Sequence, residues 1–364
     1  MRGCAKHSGR VARCICRGGL FVTGTDDTRF CRPVPRENPS MYQLTRHEVL
    51  TAALLLGLTA STSGAPEERS EKRAVTIYSD GIKMQGDLYV PADFKKDDKR
   101  PVVIFCNGTG GTRKGTPTKL ASHFVKAGYV FLAFDYRGWG DSDGKLMPLE
   151  ALPKPGEKGE VTVKARVARW QMNYADQTED IRAAISYVAG EPGVDPEQIG
   201  IMGSSYGGGL VTWVAGNDPR VKCVVAQVPG MGGRGPQAEK AAYALATKQA
   251  RGEVEPIPFE TGKLGGQMAK YENMRANPAR TIGYSAVDAS AKIKVPALFV
   301  VAEKEELSNN AVVEQVQKDI QKRGVPTGYH VIKDITHYGI YREGFAEATK
   351  LEIEWFDKHL KGAK

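Results

Sequence analysis

From residue 102 onward, short continuous apolar runs alternate with segments whose apolar residues recur at helical spacing, and this alternation constrains the fold more than any other feature. The runs at 102–106, 130–134, 199–202, 222–227, 297–302 and 329–332 lack the in–out pattern of a half-exposed strand, so both of their faces must be covered. Helices expected at 119–127, 176–189, 206–215, 311–322 and 345–360 supply that cover. Strand followed by helix over this distance means an α/β fold with a mostly parallel sheet. Ahead of it, 74–79 and 85–90 flank Ser79-Asp80-Gly81 as an opening hairpin, closed by Pro91. Two stretches bearing Pro and Gly, 145–174 and 230–290, interrupt the alternation and are expected as cap and pocket walls at the carboxyl edge of the sheet.

The formal charge of +9 sits mainly at the amino-terminal end. Nine of the 51 basic and four of the 42 acidic side chains fall within residues 1–65, which leaves 42 against 38 beyond them. That is an ordinary surface balance, and no nucleic-acid partner is expected. Cys4, Cys14, Cys16 and Cys31 crowd the same stretch without the paired CxxC knuckles of a zinc site, and His7 is the one histidine close to them. Cys106 and Cys223 fall in buried-strand runs, where a thiol serves as a small hydrophobe.

Residues 41–65 have the layout of a secretory signal peptide. Arg46 and His47 precede an apolar run over 49–60, too short to span a bilayer, and small residues end at Ser63-Gly64-Ala65. The expectation is a secreted or periplasmic protein, the alternative a cytoplasmic one. In this reading residues 1–40 are a non-native or disordered leader, 66–364 form the folded domain, and the mature chain makes no stable membrane insertion.

The chemistry-bearing motif is Gly203-Ser204-Ser205-Tyr206-Gly207, a G-x-S-x-G between an expected strand and an expected helix. A serine on such a turn is lifted above the sheet and sits at a helix amino terminus, where N–H groups favour developing negative charge. The bland alternative is a tight turn in which Ser204 or Ser205 merely caps the helix. Of the six histidines, only His337 lies after the last expected strand and before the last helix, which is where the base should follow a nucleophile and an acid in chain order. The acid should lie after the 297–302 strand, which offers Glu303, Glu305 and Glu306. Two decoys are set aside. Residues 108–116 lack the Gly-Lys-Ser/Thr of a phosphate loop, and the G-x-G-x-x-G at 230–235 is followed by acids in a Pro-broken segment rather than a second strand.

With these motifs in place, residues 75–360 resemble the α/β-hydrolase superfamily, and within it the dienelactone-hydrolase-like enzymes and their prolyl-peptidase and cocaine-esterase-type relatives. The resemblance implies an α/β-hydrolase fold with an inserted cap. It selects Glu305, which aligns with the family's aspartate in Gly-x-x-Asp, although here the segment reads Ala302-Glu303-Lys304-Glu305. It further implies that the loop Asn107-Gly108-Thr109-Gly110-Gly111 gives one oxyanion-hole N–H, that of Thr109, and Tyr206 N–H the second. Asp135-Tyr136-Arg137-Gly138-Trp139-Gly140-Asp141-Ser142 is similar to the family's D-x-R-G-x-G-x-S loop, whose role is structural. The implied activity is hydrolysis of a small-molecule carboxylic ester by an acyl-enzyme on Ser205, with His337 as base, Glu305 orienting it, and no metal or organic cofactor. A peptidase, an amidase or an acyltransferase using the same triad is the alternative. Trp170, Met172, Tyr174, Met231, Tyr243, Phe259 and Tyr284 are candidates for an apolar pocket wall, and Arg166, Arg169 and Arg234 for contacts to a substrate carboxylate.

Overall fold

The computed structural model describes residues 70–232, 235–258 and 274–362. The expected leader and signal segment, together with Arg234 and Phe259, lie outside the described residues. The central sheet has eight strands: β1 (Glu71–Ser79), β2 (Ile82–Val90), β3 (Arg100–Cys106), β4 (Val130–Phe134), β5 (Val194–Ser204), β6 (Val221–Gln227), β7 (Ala297–Lys304) and β8 (Thr327–Thr336). Their spatial order is β1-β2-β4-β3-β5-β6-β7-β8. The β1–β2 and β2–β4 pairings are antiparallel and the others parallel.

The opening hairpin turns at Asp80-Gly81, both with positive φ (50° and 75°), as a two-residue hairpin of this hand needs. The parallel strands are buried along nearly their whole length, which is why they read as unbroken apolar runs.

Helices α1 (Thr116–Lys126), α2 (Tyr174–Ala189), α3 (Tyr206–Ala215), α4 (Pro236–Ala250), α5 (Ala286–Ser290), α6 (Asn310–Lys322) and α7 (Phe345–His359) cover the sheet and build its edge. On one face Ile181, Ile185, Leu210, Val214, Val313 and Ile320 from α2, α3 and α6 meet the strands. On the other face Leu120 and Phe124 of α1 pack with Phe356 of α7. Among the described residues no helix is long and apolar enough to cross a membrane.

Within the 230–290 stretch lies α4, in which only Ala242 is buried, so the helix has no apolar stripe to announce it. Of the candidate wall residues, Tyr174 and Tyr284 stack with ring centroids 4.1 Å apart. Trp170, Met172, Tyr174 and Tyr284 pack against the core and Met231 is buried within it, whereas Tyr243 is 53% exposed.

Candidate active site

The carboxyl ends of β3, β5, β6, β7 and β8 lie in a row, and the loops after β3, β5, β7 and β8 meet in one place. After β5 comes Ser205, with φ 56° and ψ −119°, a conformation a non-glycine residue adopts only when its surroundings enforce it. The two glycines of the motif are required by close approach. A Cβ on Gly203 would stand 2.3 Å from the Gly207 carbonyl oxygen, and one on Gly207 would stand 2.2 Å from that of Cys106. The strained residue is clamped from both sides: Ser205 N–H donates to Gln227 O (2.8 Å), and Gly230 N–H donates to Ser205 O (2.8 Å).

Ser205 is the N-cap residue of α3, yet its side chain makes no capping bond. Its Oγ is instead 2.9 Å from His337 Nε2. Ser204, by contrast, turns its hydroxyl to Tyr341 OH, 2.7 Å away. The capping alternative is therefore excluded for both serines.

The three glutamates separate in space. Glu303 accepts from Lys333 Nζ and Asp334 N–H at the surface. Glu306 accepts the backbone N–H of His337 (2.8 Å). Glu305 alone meets the ring, its two oxygens 2.8 and 3.0 Å from Nδ1. It also accepts the N–H groups of Leu307 and Ser308. Burial opposes ionisation of this carboxyl, but the bond and charge of His337 and the two backbone N–H groups outweigh it and hold it below its usual range. A carboxylate at Nδ1 requires Nδ1–H to donate, so the Nε2 lone pair faces Ser205 and accepts its hydroxyl proton.

A bulge in β8 produces this meeting. Ala302 pairs with Ile332, but Lys304 pairs with Thr336, so β8 accommodates extra residues around Asp334, whose φ is 60°. The slip carries His337 forward over Glu305, as bulges beside reactive sites commonly re-aim a side chain. His337 opens a 3-10 turn (His337–Tyr341), and both it and Glu305 have side chains only 2% exposed.

Ser205 and His337 open into a cavity of about 380 Å³ whose far wall is the loop after β3, including Thr109, with Tyr338 and Tyr341 opposite. Thr109 thus borders the same space as the Ser205 hydroxyl, and Tyr206, the first residue of α3, follows Ser205 directly. The Tyr206 ring is fixed against Tyr174 (4.9 Å between centroids) and its hydroxyl donates to Gln177 Oε1. The loop is pinned from behind, because Asp135 accepts Arg113 N–H (2.7 Å) and pairs with the Arg113 guanidinium. Arg137 is buried against Asp180 (2.6 Å) and takes no part in the cavity, in keeping with a structural role for the 135–142 loop.

The candidate carboxylate contacts are engaged elsewhere: Arg166 pairs with Glu255, and Arg169 donates to the carbonyls of Gly140 and Ser142. Asn107-Gly108-Thr109 has the form of a glycosylation sequon, but Asn107 is buried with its amide donating to Phe134 O. Tyr341 and Tyr338 were not singled out from sequence. Their one signal is proximity to His337 along the chain, whereas Glu306, offered as a candidate acid, binds the His337 backbone rather than its ring.

A model of the prolyl oligopeptidase family matches residues 166–363, and one of the X-Pro dipeptidyl-peptidase (S15) family matches residues 80–236. An Escherichia coli protein described as an uncharacterized 31.7 kDa protein in the traX-finO intergenic region is 28% identical over 288 residues, spanning 72% of this chain and 92% of that one. The quorum-quenching protein AidA of Acinetobacter baumannii is 33% identical over 155 residues, 43% of each chain. The solved structure of DcsB in complex with its substrate analogue superposes with a TM-score of 0.61 at 17% identity, covering 79% of this chain and 100% of that one. At that identity the likeness is one of fold.

Proposed function

This chain belongs to the prolyl oligopeptidase family of α/β hydrolases, and from that premise we propose that it cleaves a small carboxylic ester through an acyl-enzyme on Ser205. One observation carries the reading: Ser205 Oγ lies 2.9 Å from His337 Nε2 while Glu305 holds Nδ1 at 2.8 Å. In this mechanism Ser205 Oγ attacks the acyl carbon and its proton passes to His337 Nε2. Glu305 keeps the imidazole in that tautomer and stabilises the cation it becomes. The N–H groups of Thr109 and Tyr206 receive the oxyanion, a contribution worth about 3 kcal/mol for each donor in comparable sites. The proton then goes to the departing alcohol, and water, deprotonated by His337, releases the acid.

A second reading, amide or peptide hydrolysis by the same residues, draws support from the peptidase descriptions of both matching families. The test is a p-nitrophenyl ester series from acetate to decanoate beside p-nitroanilides of the same acyl groups, run on wild type and Ser205→Ala. Ester turnover lost in Ser205→Ala, with anilides inert, supports the esterase. Comparable anilide turnover moves the assignment to the amidase, and folded protein inert to all substrates removes both.

A further inference from the structure

The clamp on Ser205 leads back to a buried acid that the triad does not use. Gln227, whose carbonyl holds Ser205 N–H, ends β6 with its side chain buried. The next residue, Val228, has φ 37°, a conformation that is a true outlier for a β-branched side chain. Val228 N–H donates to Val300 O (2.7 Å), so the segment 227–230 is held against β7 on one side and the nucleophile on the other. Gln227 Nε2 donates to Glu352 Oε1 (3.0 Å), and Glu352 is fully buried on α7.

Two atoms of this pair, Gln227 Oε1 and Glu352 Oε2, are buried and have no hydrogen-bond partner among the described residues. Leaving two acceptors unsatisfied is costly, and both belong to side chains already bonded to each other. One proton on Glu352 Oε2 resolves both, since the acid O–H donates to Gln227 Oε1 while the amide N–H donates to Glu352 Oε1. The result is a closed acid–amide pair with two hydrogen bonds.

We infer that Glu352 is a neutral carboxylic acid that positions the nucleophile, locking Gln227 and through its carbonyl the strained backbone of Ser205. The inference rests on the proposed hydrolytic role of Ser205. Burial pushes this carboxyl up to about 8, with the Gln227 bond the opposing influence.

The titratable groups packed against α7 are engaged with partners of their own: His330 of β8 bonds Glu347, and Tyr129 donates to Asp357. On β6, Lys222 pairs with Glu197 and the Cys223 thiol is pushed up by burial. Glu303 and Lys304 of β7 pair with Lys333 and Asp334. His337 is held by Glu305 and Ser205, and Tyr341 by Ser204. On α1, His123 packs edge-on against Phe345, and Lys119 and Lys126 are exposed. One turn before Glu352, Thr349 carries a buried hydroxyl without a partner among the described residues.

The test is Glu352→Gln, which keeps a closed two-bond pair but cannot titrate. Wild-type kcat should fall by about tenfold or more from about pH 7 to about pH 9.5 as the pair opens, with KM little changed, while Glu352→Gln should retain near-wild-type kcat at pH 7 and lose this alkaline limb. A second arm follows melting temperature against pH in a Ser205→Ala background, which needs no turnover. There the protein with Glu352 should lose stability as pH rises from about 4.5 to about 8 and level off above, and Glu352→Gln should not. Superimposed melting curves overturn the acid–amide pair. Divergent melting with identical kcat limbs overturns the positioning role. Absence of any turnover, with divergent melting, overturns the hydrolytic reading and the positioning role with it but leaves the pair standing.

Discussion

Replacing Glu305 by Gln preserves size and shape but reverses the sense of one hydrogen bond. Glu305 Oε1 accepts from Leu307 N–H (2.9 Å) and Ser308 N–H (3.0 Å) as well as from the ring, so the new amide must keep its oxygen there. Its NH₂ then occupies the Oε2 position, 3.0 Å from His337 Nδ1 in the wild type. The retained oxygen, 2.8 Å from Nδ1, can still accept Nδ1–H, but the new NH₂ competes for Nδ1 as an acceptor and favours the tautomer with its proton on Nε2, facing Ser205 Oγ. The base is weakened while the fold is kept, because the two backbone N–H groups remain satisfied. Loss of the correct tautomer together with the charge opposing the imidazolium should lower kcat by about 10³- to 10⁴-fold, or about 4 to 5.5 kcal/mol of barrier. The assay is p-nitrophenyl ester turnover beside circular dichroism and melting. Retention of activity within about tenfold of wild type would refute the reasoning, and a large loss in Glu306→Gln instead would move the acid to the residue that binds His337 N–H.

Gly207→Ala should destabilise the protein by about 3 kcal/mol, because its Cβ meets the Cys106 backbone and no side chain can yield; an unchanged urea midpoint would contradict the close packing. Asp135→Asn should cost about 2 kcal/mol by removing one of the two buried carboxylates that pair with Arg113, Asp87 remaining. In the same variant kcat should fall about tenfold as the loop after β3 loosens, read by urea unfolding and ester turnover together. Glu305 is held below its ordinary value of 4.5, so its stabilisation is complete above that pH and lost as pH falls through the lower folded value. Wild type should therefore lose melting temperature in acid more steeply than Glu305→Gln, and parallel curves would contradict the pairing.

The sheet was legible from sequence because parallel strands bury both faces and so appear as unbroken apolar runs; 130–134 and 206–215 coincide with β4 and α3. Strand ends were less legible. β5 begins at Val194, and its first turns of chain, Asp195-Pro196-Glu197, carry no apolar signal. Ser205 and His337 could be read from local motif and chain order, since both constraints are written in a few adjacent residues. The choice among Glu303, Glu305 and Glu306 could not be read from the residues alone, because it depends on a bulge in β8 some 30 residues away that decides which carboxylate meets the ring. The resemblance to known hydrolases pointed to Glu305, and it is Glu305 that stands against Nδ1. The Glu352–Gln227 pair was illegible for the same reason: its partners lie 125 residues apart and each, taken singly, reads as an ordinary solvent-facing polar residue on a helix or a strand end.

The most direct test of the account is covalent labelling by a fluorophosphonate followed by peptide mapping. The account predicts one adduct per chain, on the peptide carrying Ser205, with labelling abolished in Ser205→Ala and greatly slowed in His337→Ala. An unlabelled folded protein, or an adduct on Ser204 or any other residue, would contradict it.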